Sequence, residues 1–338
     1  MKKGLNSIVI ACIGLLALIL DTKTALSGAT EGVELCIRTV IPSLFPFIFL
    51  SVMLNQAIMG MSMPFLKPLC HFLRIPEGAE SLLLLGLLGG YPVGAQCCAE
   101  AVRYGNISRE TGRRMLSFCS NAGPAFLFGI GSTLFTSRWK CWVLWAIHIL
   151  SALIVGHIMP RTTDGSASIS KKNKHSASLV LQQSLRIMAN ISGWVILFRV
   201  IFVFSERWFL WYFPQWTQSL FAGVLELTNG CCSLTEIGNE DLRFVLCSLF
   251  LGFGGFCVTM QTYSVCIGVD TSLYLPGKVL QSVLSAVFAL CFISREMAII
   301  ILAIFALSMP VSIYLKKRKI QIAFFLPVLY NDKKVNRR

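Results

Sequence analysis

Two polar breaks interrupt apolar stretches in the first half of the chain. Gly89-Gly90-Tyr91-Pro92-Val93-Gly94 does not suit a regular helix. Pro92 lacks a donor and its ring clashes with the preceding turn, and three glycines favour open backbone. Asn121-Ala122-Gly123-Pro124 lies between Met115–Ser120 and Ala125–Phe135. Pro124 suits the first turn of a new helix, where no N–H is needed. A helix starting there aims free N–H groups and a positive dipole end at the break, an arrangement that binds anions. In the second half, Glu226 sits in an apolar run, followed by Thr228, Asn229 and Gly230. A charge at mid-membrane costs about 2.5–3.5 kcal/mol on insertion scales. Glu226 is therefore a candidate for substrate or ion coupling, unless the run ends there and the carboxylate lies at the interface. The chemistry on offer is the holding of a small anion. No catalytic residue and no metal site is expected, because His71, His148, His157 and His175 are scattered.

The elements that position these residues must be helices in lipid. The hydrophobic fraction is 55% and the charged fraction 14%, against about 25% charged in a soluble domain. A chain of mean hydropathy +0.69 could not hide its surface from water as one globule. A bilayer core takes about 20 apolar residues per helix. Runs of that kind occur at 5–20, 40–59, 115–135, 142–159, 187–204, 208–227, 244–267, 273–293 and 297–315, with a shorter one at 82–88. Backbone groups in lipid must be paired internally, and the alternating segments of a β-barrel are absent. The fold class expected is an all-α polytopic membrane protein of about 8–10 transmembrane segments, some interrupted.

A net charge of +14 raises nucleic acid as a partner, but its distribution speaks against it. Much of it sits in Lys171-Lys172-Asn173-Lys174, Lys316-Lys317-Arg318-Lys319 and the last residues. Basic segments beside membrane helices mark the cytoplasmic side and attract anionic lipids. The 13 cysteines show no zinc or redox spacing and read as small buried hydrophobes. Lys2 and Lys3 before an apolar stretch, then Thr24–Ala29, resemble a signal peptide; an uncleaved first helix is the reading adopted.

The chain also matches itself. Val33–Pro46 and Leu181–Trp194 each place an arginine, Arg38 or Arg186, at the same point ahead of a helix. Leu88–Gln96 matches Phe253–Gln261: both have Gly-Gly-aromatic, then valine, then glutamine. Paired interrupted segments in two halves point to a transporter's binding site. The expected layout is an N-terminal transmembrane helix over 1–30, a first repeat over 31–160, a cytoplasmic linker over 161–178, a second repeat over 179–315 and a basic cytoplasmic tail over 316–338. Whether the repeats are parallel or inverted is open at this point. The candidate substrate-binding set is Gly89, Gly90, Tyr91, Pro92, Gly94, Gln96, Asn121, Gly123, Pro124, Glu226, Thr228, Asn229, Gly254, Gly255 and Gln261.

Three segments resemble the YlbJ-type sporulation integral membrane proteins, which carry the nucleoside-recognition or Gate domain. They are Gly89–Ala95, Ile107-Ser108 through Arg114–Pro124, and Glu226–Gly230. Relatives tend to have two asparagines before the Gly-Pro; here Ser120 replaces the first. The resemblance implies a place in the cell membrane and, during sporulation, the outer forespore membrane, with a role in moving dipicolinate across it. It also implies a distant likeness to concentrative nucleoside transporters. A small aromatic dianion would suit helix N-termini at Gly90 and Pro124 with amides from Gln96, Asn121 and Gln261. A nucleoside would fit comparably.

The function expected is therefore secondary transport of a small anionic metabolite, coupled to H⁺ or Na⁺, without a cofactor and without enzymatic activity. Membrane lipids are partners and nucleic acid is not; the oligomeric state is open. A non-transporting membrane scaffold is the alternative. It would need intact helices with small-xxx-small seams and no polar cavity.

Overall fold

The computed structural model describes residues 2–58, 61–160, 176–297 and 299. The 161–175 part of the linker and the basic tail lie outside them, as does nearly all of the last apolar run. The chain divides into two compact units, residues 1–286 and 287–338. The described part of the second is the end of the last long helix and the few residues after it. Everything below concerns the first unit.

Among the described residues there is helix and no strand. Five stretches are long and apolar enough to cross a bilayer: Thr22–Ile58, Trp139–Ile158, Ala177–Trp208, Glu240–Val265 and Tyr274–Ile293. Ile8–Leu20 and Pro124–Leu134 are shorter apolar helices. The remaining apolar runs form hairpins and broken helices, so the expected all-α polytopic fold stands with its interruptions. The exposed tryptophans Trp139, Trp142, Trp208, Trp211 and Trp216 cluster toward one end of the helices, as an interfacial aromatic belt does.

After α1 (Lys2–Leu20), α2 (Thr22–Leu35) passes through a π-helical turn at Cys36–Val40 into α3 (Ile41–Ile58). Asp21 caps α2, accepting from the Thr24 N–H at 3.3 Å. Thr24–Ala29, the signal-like stretch, lies inside α2. This rod packs antiparallel on α10 (Ala177–Trp208). A β-carbon at Gly28 would lie 2.9 Å from the Val200 Cα, and one at Gly32 2.9 Å from the Ile196 Cα. Cys36 Sγ donates to the Ser192 carbonyl at 3.8 Å. Partner numbers fall as the chain advances, which is the mark of opposed directions. Small residues every four positions let the two backbones approach, the usual device of helix association in lipid.

Between these rods, α5 (Glu80–Leu88) and α6 (Val93–Arg103) form a hairpin. Its arms cross where a β-carbon on Gly94 would lie 2.9 Å from the Gly86 Cα. The short α4 (Lys67–Leu73) precedes it. A second hairpin joins α11 (Gln215–Leu225) to α12 (Leu227–Ser233). Its arms cross at Gly223 and Gly230, where a β-carbon on Gly230 would run into the Gly223 Cα.

Each hairpin is followed by a broken helix. Ser108 caps α7 (Arg109–Leu116), accepting from the Thr111 N–H at 3.0 Å. Helix stops from Ser117 to Gly123 and resumes as α8 (Pro124–Leu134), with Pro124 in its first turn. Asn239 caps α13 (Glu240–Phe253), accepting from the Leu242 N–H at 2.9 Å. That helix breaks at Gly254 (φ 81°) and resumes as α14 (Gly255–Val265). From cap to break is 15 residues in both, Ser108 to Gly123 and Asn239 to Gly254. The architecture therefore pairs hairpin with hairpin and broken helix with broken helix. The sequence match of Leu88–Gln96 with Phe253–Gln261 instead joins a hairpin turn to a break: Gly-Gly-aromatic recurs because both places need open backbone.

α9 (Trp139–Ile158) and the part of α15 (Tyr274–Ile293) up to residue 286 pack against the broken helices, as at Gly277 on Ser117 and Gly252 on Ser282. Arg114, fully buried, donates to the Leu73, Arg74 and Gly156 carbonyls. It satisfies carbonyls at the last turns of α4 and α9, where cations are favoured. The arginines around 103–114 thus divide between this internal cap and pairing at the surface, as in Arg113 with Asp270 at 3.6 Å.

Candidate functional site

The two hairpin turns and the two breaks meet at the centre. A β-carbon on Gly123 would lie 3.1 Å from the Gly90 Cα, so the first turn touches the first break. One on Gly254 would lie 3.3 Å from the Tyr91 hydroxyl, so the same turn touches the second break. One on Gly255 would lie 3.3 Å from the Glu226 Cα, so the second turn touches it too. Gly90 and Gly254 have φ of 75° and 81°, a region that side chains avoid.

At this meeting point lies a cavity of about 40 Å³. Gly89, Gly90, Tyr91, Gly123, Glu226, Thr228 and Gln261 line it, with Phe47, Ile191 and Val195 among the apolar walls. A water needs about 10–15 Å³ of such space, and drug-sized ligands occupy pockets of about 300–1,000 Å³. The cavity is narrow, with room for a few waters.

Open vestibules stand on either side of it, of about 720 Å³ and about 470 Å³. Their order is read along α10. Leu179, Gln183, Arg186, Ile187 and Asn190 line the larger vestibule, Ile191 and Val195 the narrow cavity, and Arg199, Phe202 and Glu206 the smaller vestibule. From Asn190 to Arg199 is about 14 Å at 1.5 Å per residue. The rod α2–α3 shows the reverse order: Glu31 to Thr39 in the smaller vestibule, Val40 to Ile48 in the cavity, Gln56 in the larger. The hairpins obey the same inversion. The α5–α6 turn reaches the cavity while Gln96, Glu100 and Arg103 open onto the larger vestibule. The α11–α12 turn reaches the cavity while Gln215, Ser233 and Glu236 open onto the smaller one. The two hairpins enter from opposite ends and meet in the middle. Arg38 and Arg186, which hold matching places in the two similar segments, stand in opposite vestibules.

Of the other residues singled out, Gln96 and Asn229 lie in the vestibules. Gln96 donates to Glu100 at 3.1 Å. Asn229 accepts from Arg199 at 3.2 Å, and its own Nδ2 is buried without a partner among the described residues. Arg199 also pairs with Glu31 at 2.6 Å. Pro92, Gly94 and Pro124 shape the turn, the crossing and the helix start.

Asn121 has its side chain committed. Its Nδ2 donates to the Gly86 carbonyl at 3.0 Å and the Phe118 carbonyl at 2.7 Å, and its Oδ1 accepts from Gln281 at 2.9 Å. His148 Nε2 accepts from the Ala122 N–H at 3.1 Å. Gln281 Nε2 also donates to the His148 carbonyl at 3.3 Å, and Gln281 Oε1 accepts from Lys278 at 2.7 Å. Lys278 in turn donates to the Tyr91 hydroxyl at 3.2 Å, and Tyr91 donates to the Leu251 carbonyl at 3.2 Å. The whole network is buried. His148, Lys278 and Gln281 are its members that sequence reasoning passed over. A lysine inside the apolar run 273–293 was the available signal.

Glu226 caps α12. Its Oε1 accepts from the Thr228 N–H at 2.9 Å and its Oε2 from the Asn229 N–H at 2.6 Å. The protein's own carboxylate thus fills the anion position at this turn. In Glu226→Gln one acceptor becomes an NH₂ facing an N–H. A loss of about 1–3 kcal/mol in hairpin stability is expected, read as a lower thermal midpoint in detergent. An unchanged midpoint would mean that the cap holds nothing.

No family model matches the chain, and no solved structure matches it. Its helices and its similarity to an integral membrane relative make it an integral membrane protein. The chain is similar to the sporulation integral membrane protein YlbJ of Bacillus subtilis (strain 168), 25% identical over 318 residues that cover 79% of this chain and 77% of the relative, and the resemblance to YlbJ-type proteins rests on that match across most of both chains.

Proposed function

We propose that the chain is a secondary transporter that works by alternating access, carrying a small anionic metabolite. The observation that supports this is the pair of vestibules at opposite ends, separated by a narrow cavity where oppositely entering hairpins and broken helices meet. Interrupted helices of inverted repeats at mid-membrane are how such transporters hold substrate. A scaffold needs neither vestibule, and the first hairpin turn brings glycine backbone to the cavity.

The 720 Å³ vestibule lies at the end of α10 that follows the basic linker. We place it in the cytoplasm on the positive-inside rule. Among the charged residues lining it are two arginines, Arg103 and Arg186, and one glutamate, Glu100. The other vestibule has Arg38 and Arg199 against Glu31, Glu34, Glu206 and Glu236. A more positive entrance on the cytoplasmic side favours an anion arriving from there. With the YlbJ-type resemblance, dipicolinate leaving the mother-cell cytoplasm through the outer forespore membrane is the substrate we put forward. H⁺ or Na⁺ is the proposed coupling ion. Nucleosides are the second substrate class to test.

The test is gradient-driven uptake of dipicolinate and of uridine into vesicles holding the purified protein, with side-specific labelling. Cys232 is exposed and lines the smaller vestibule. It should react with an impermeant thiol reagent from the non-cytoplasmic side. Gln183→Cys, in a Cys232→Ser background, should react from the cytoplasmic side. Reporter fusions at Ser168 and Asn336 should both report cytoplasm. Labelling of both positions from one side, or no uptake under any gradient, would sink this reading.

A further inference from the structure

We propose that Lys278 is the cation that receives a carboxylate of the substrate, and that Tyr91, on the first hairpin turn, screens it from the cavity. This assignment deepens the transport reading and rests on it. Lys278 is fully buried, and its depth is fixed by its neighbours. Tyr91, which it contacts, bonds to the Leu251 carbonyl, and Leu251 lies near the middle of the Glu240–Val265 span. An ionisable side chain at that depth is costly and calls for a partner. Among the described residues no carboxylate pairs with Lys278. Its Nζ donates to the Gln281 Oε1 at 2.7 Å and the Tyr91 hydroxyl at 3.2 Å, and lies 5.1 Å from the Tyr91 ring centre. An ammonium has three donors, so these neutral acceptors leave one donor uncommitted.

The anion that Lys278 lacks is supplied elsewhere for comparable groups. Arg199 has Glu31. At the second turn, the N–H groups of Thr228 and Asn229 have Glu226. The first turn has glycine and tyrosine in place of that glutamate, and Lys278 stands behind it. Tyr91 lines the cavity and Lys278 does not; the Tyr91 hydroxyl accepts from Lys278. A shift of the Gly89–Pro92 turn carries Tyr91 away and opens Lys278 to the cavity. Gln281, held by Asn121 and the His148 carbonyl, keeps the ammonium in place. The ligand class is a small carboxylate; a neutral solute gains nothing from this group.

The experiment uses the purified full-length protein in detergent. It is titrated with dipicolinate, isophthalate and succinate, and with the neutral pyridine-2,6-dicarboxamide. Lys278→Met should weaken carboxylate binding about 10- to 100-fold, the effect of losing one hydrogen bond to a charged group, and leave the diamide unchanged. Lys278→Arg should stay within about threefold of the parent, since the charge remains. Should Lys278→Met not fold, Tyr91→Phe answers the same question. With the competing hydroxyl gone, carboxylate affinity should rise several-fold and diamide affinity should not. Lys278→Met binding carboxylates as the parent does, Tyr91→Phe shifting both ligands equally, or a parent that binds none of the three carboxylates would each overturn the assignment. Uptake of uridine by a parent that binds no carboxylate would leave the transport reading standing. Lys278-dependent binding without uptake of any solute would leave the site standing and the transport reading fallen.

Discussion

Asn121→Asp is expected to prevent the protein from accumulating in the membrane, whatever the substrate. The sequence alone suggests a milder result, in which a new negative charge beside the ligand weakens binding and the fold survives. The structure assigns Asn121 another task. Its Nδ2 lies 3.0 Å from the Gly86 carbonyl and 2.7 Å from the Phe118 carbonyl. An aspartate puts an oxygen where that donor was, against two acceptors, in a fully buried setting. Two hydrogen bonds are lost and an unpaired charge is buried. Breaking a buried polar pairing in that way costs about 3–5 kcal/mol. Asn121→Ala loses the same donors without adding charge, so about 2–3 kcal/mol is expected. Membrane-fraction abundance and the thermal midpoint in detergent are the measurements. An Asn121→Asp protein as abundant and stable as the parent, yet unable to bind an anion, would return this side chain to the substrate site.

Gly230→Ala should be nearly as damaging, although it adds one methyl group. That carbon would meet the Cα of Gly223 and lie 2.6 Å from its nitrogen. Backbone cannot move aside as the end of a flexible side chain can, so the hairpin arms must separate. Overpacking of this kind costs about 1–3 kcal/mol and occasionally more; the upper end is expected here. The α12 cap by Glu226 would be disturbed with it. Gly129→Ala and Gly193→Ala are the controls. Nothing lies within 4 Å of a β-carbon at either position, and a change of no more than about 0.5 kcal/mol is expected. Equal midpoints for Gly230→Ala and the controls would show that the hairpin is not held together at this crossing.

The helical membrane class was written in composition and in the length of the apolar runs, because lipid leaves the backbone few alternatives. The breaks at Gly89–Gly94, Asn121–Pro124 and Gly254–Gly255 were equally visible, since proline and clustered glycine act locally through φ and the missing N–H. What the breaks do was decided only by the tertiary structure. Hydropathy does not distinguish an arm that turns back from one that crosses. It therefore gave no sign that α5–α6 and α11–α12 are hairpins, or that they reach the cavity from opposite ends. Gly-Gly-aromatic at 89–91 and 254–256 marks open backbone in both places, and similarity of that kind cannot tell a turn from a kink. The network through Asn121, His148, Lys278, Gln281 and Tyr91 joins residues up to 187 positions apart. Each member taken alone is an ordinary polar residue in an apolar run. Only the packing of α15 against the first hairpin brings a buried lysine onto Tyr91 with no carboxylate among the described residues to meet it. Hydrogen bonds and charge pairing act through distance in space, which sequence spacing does not encode.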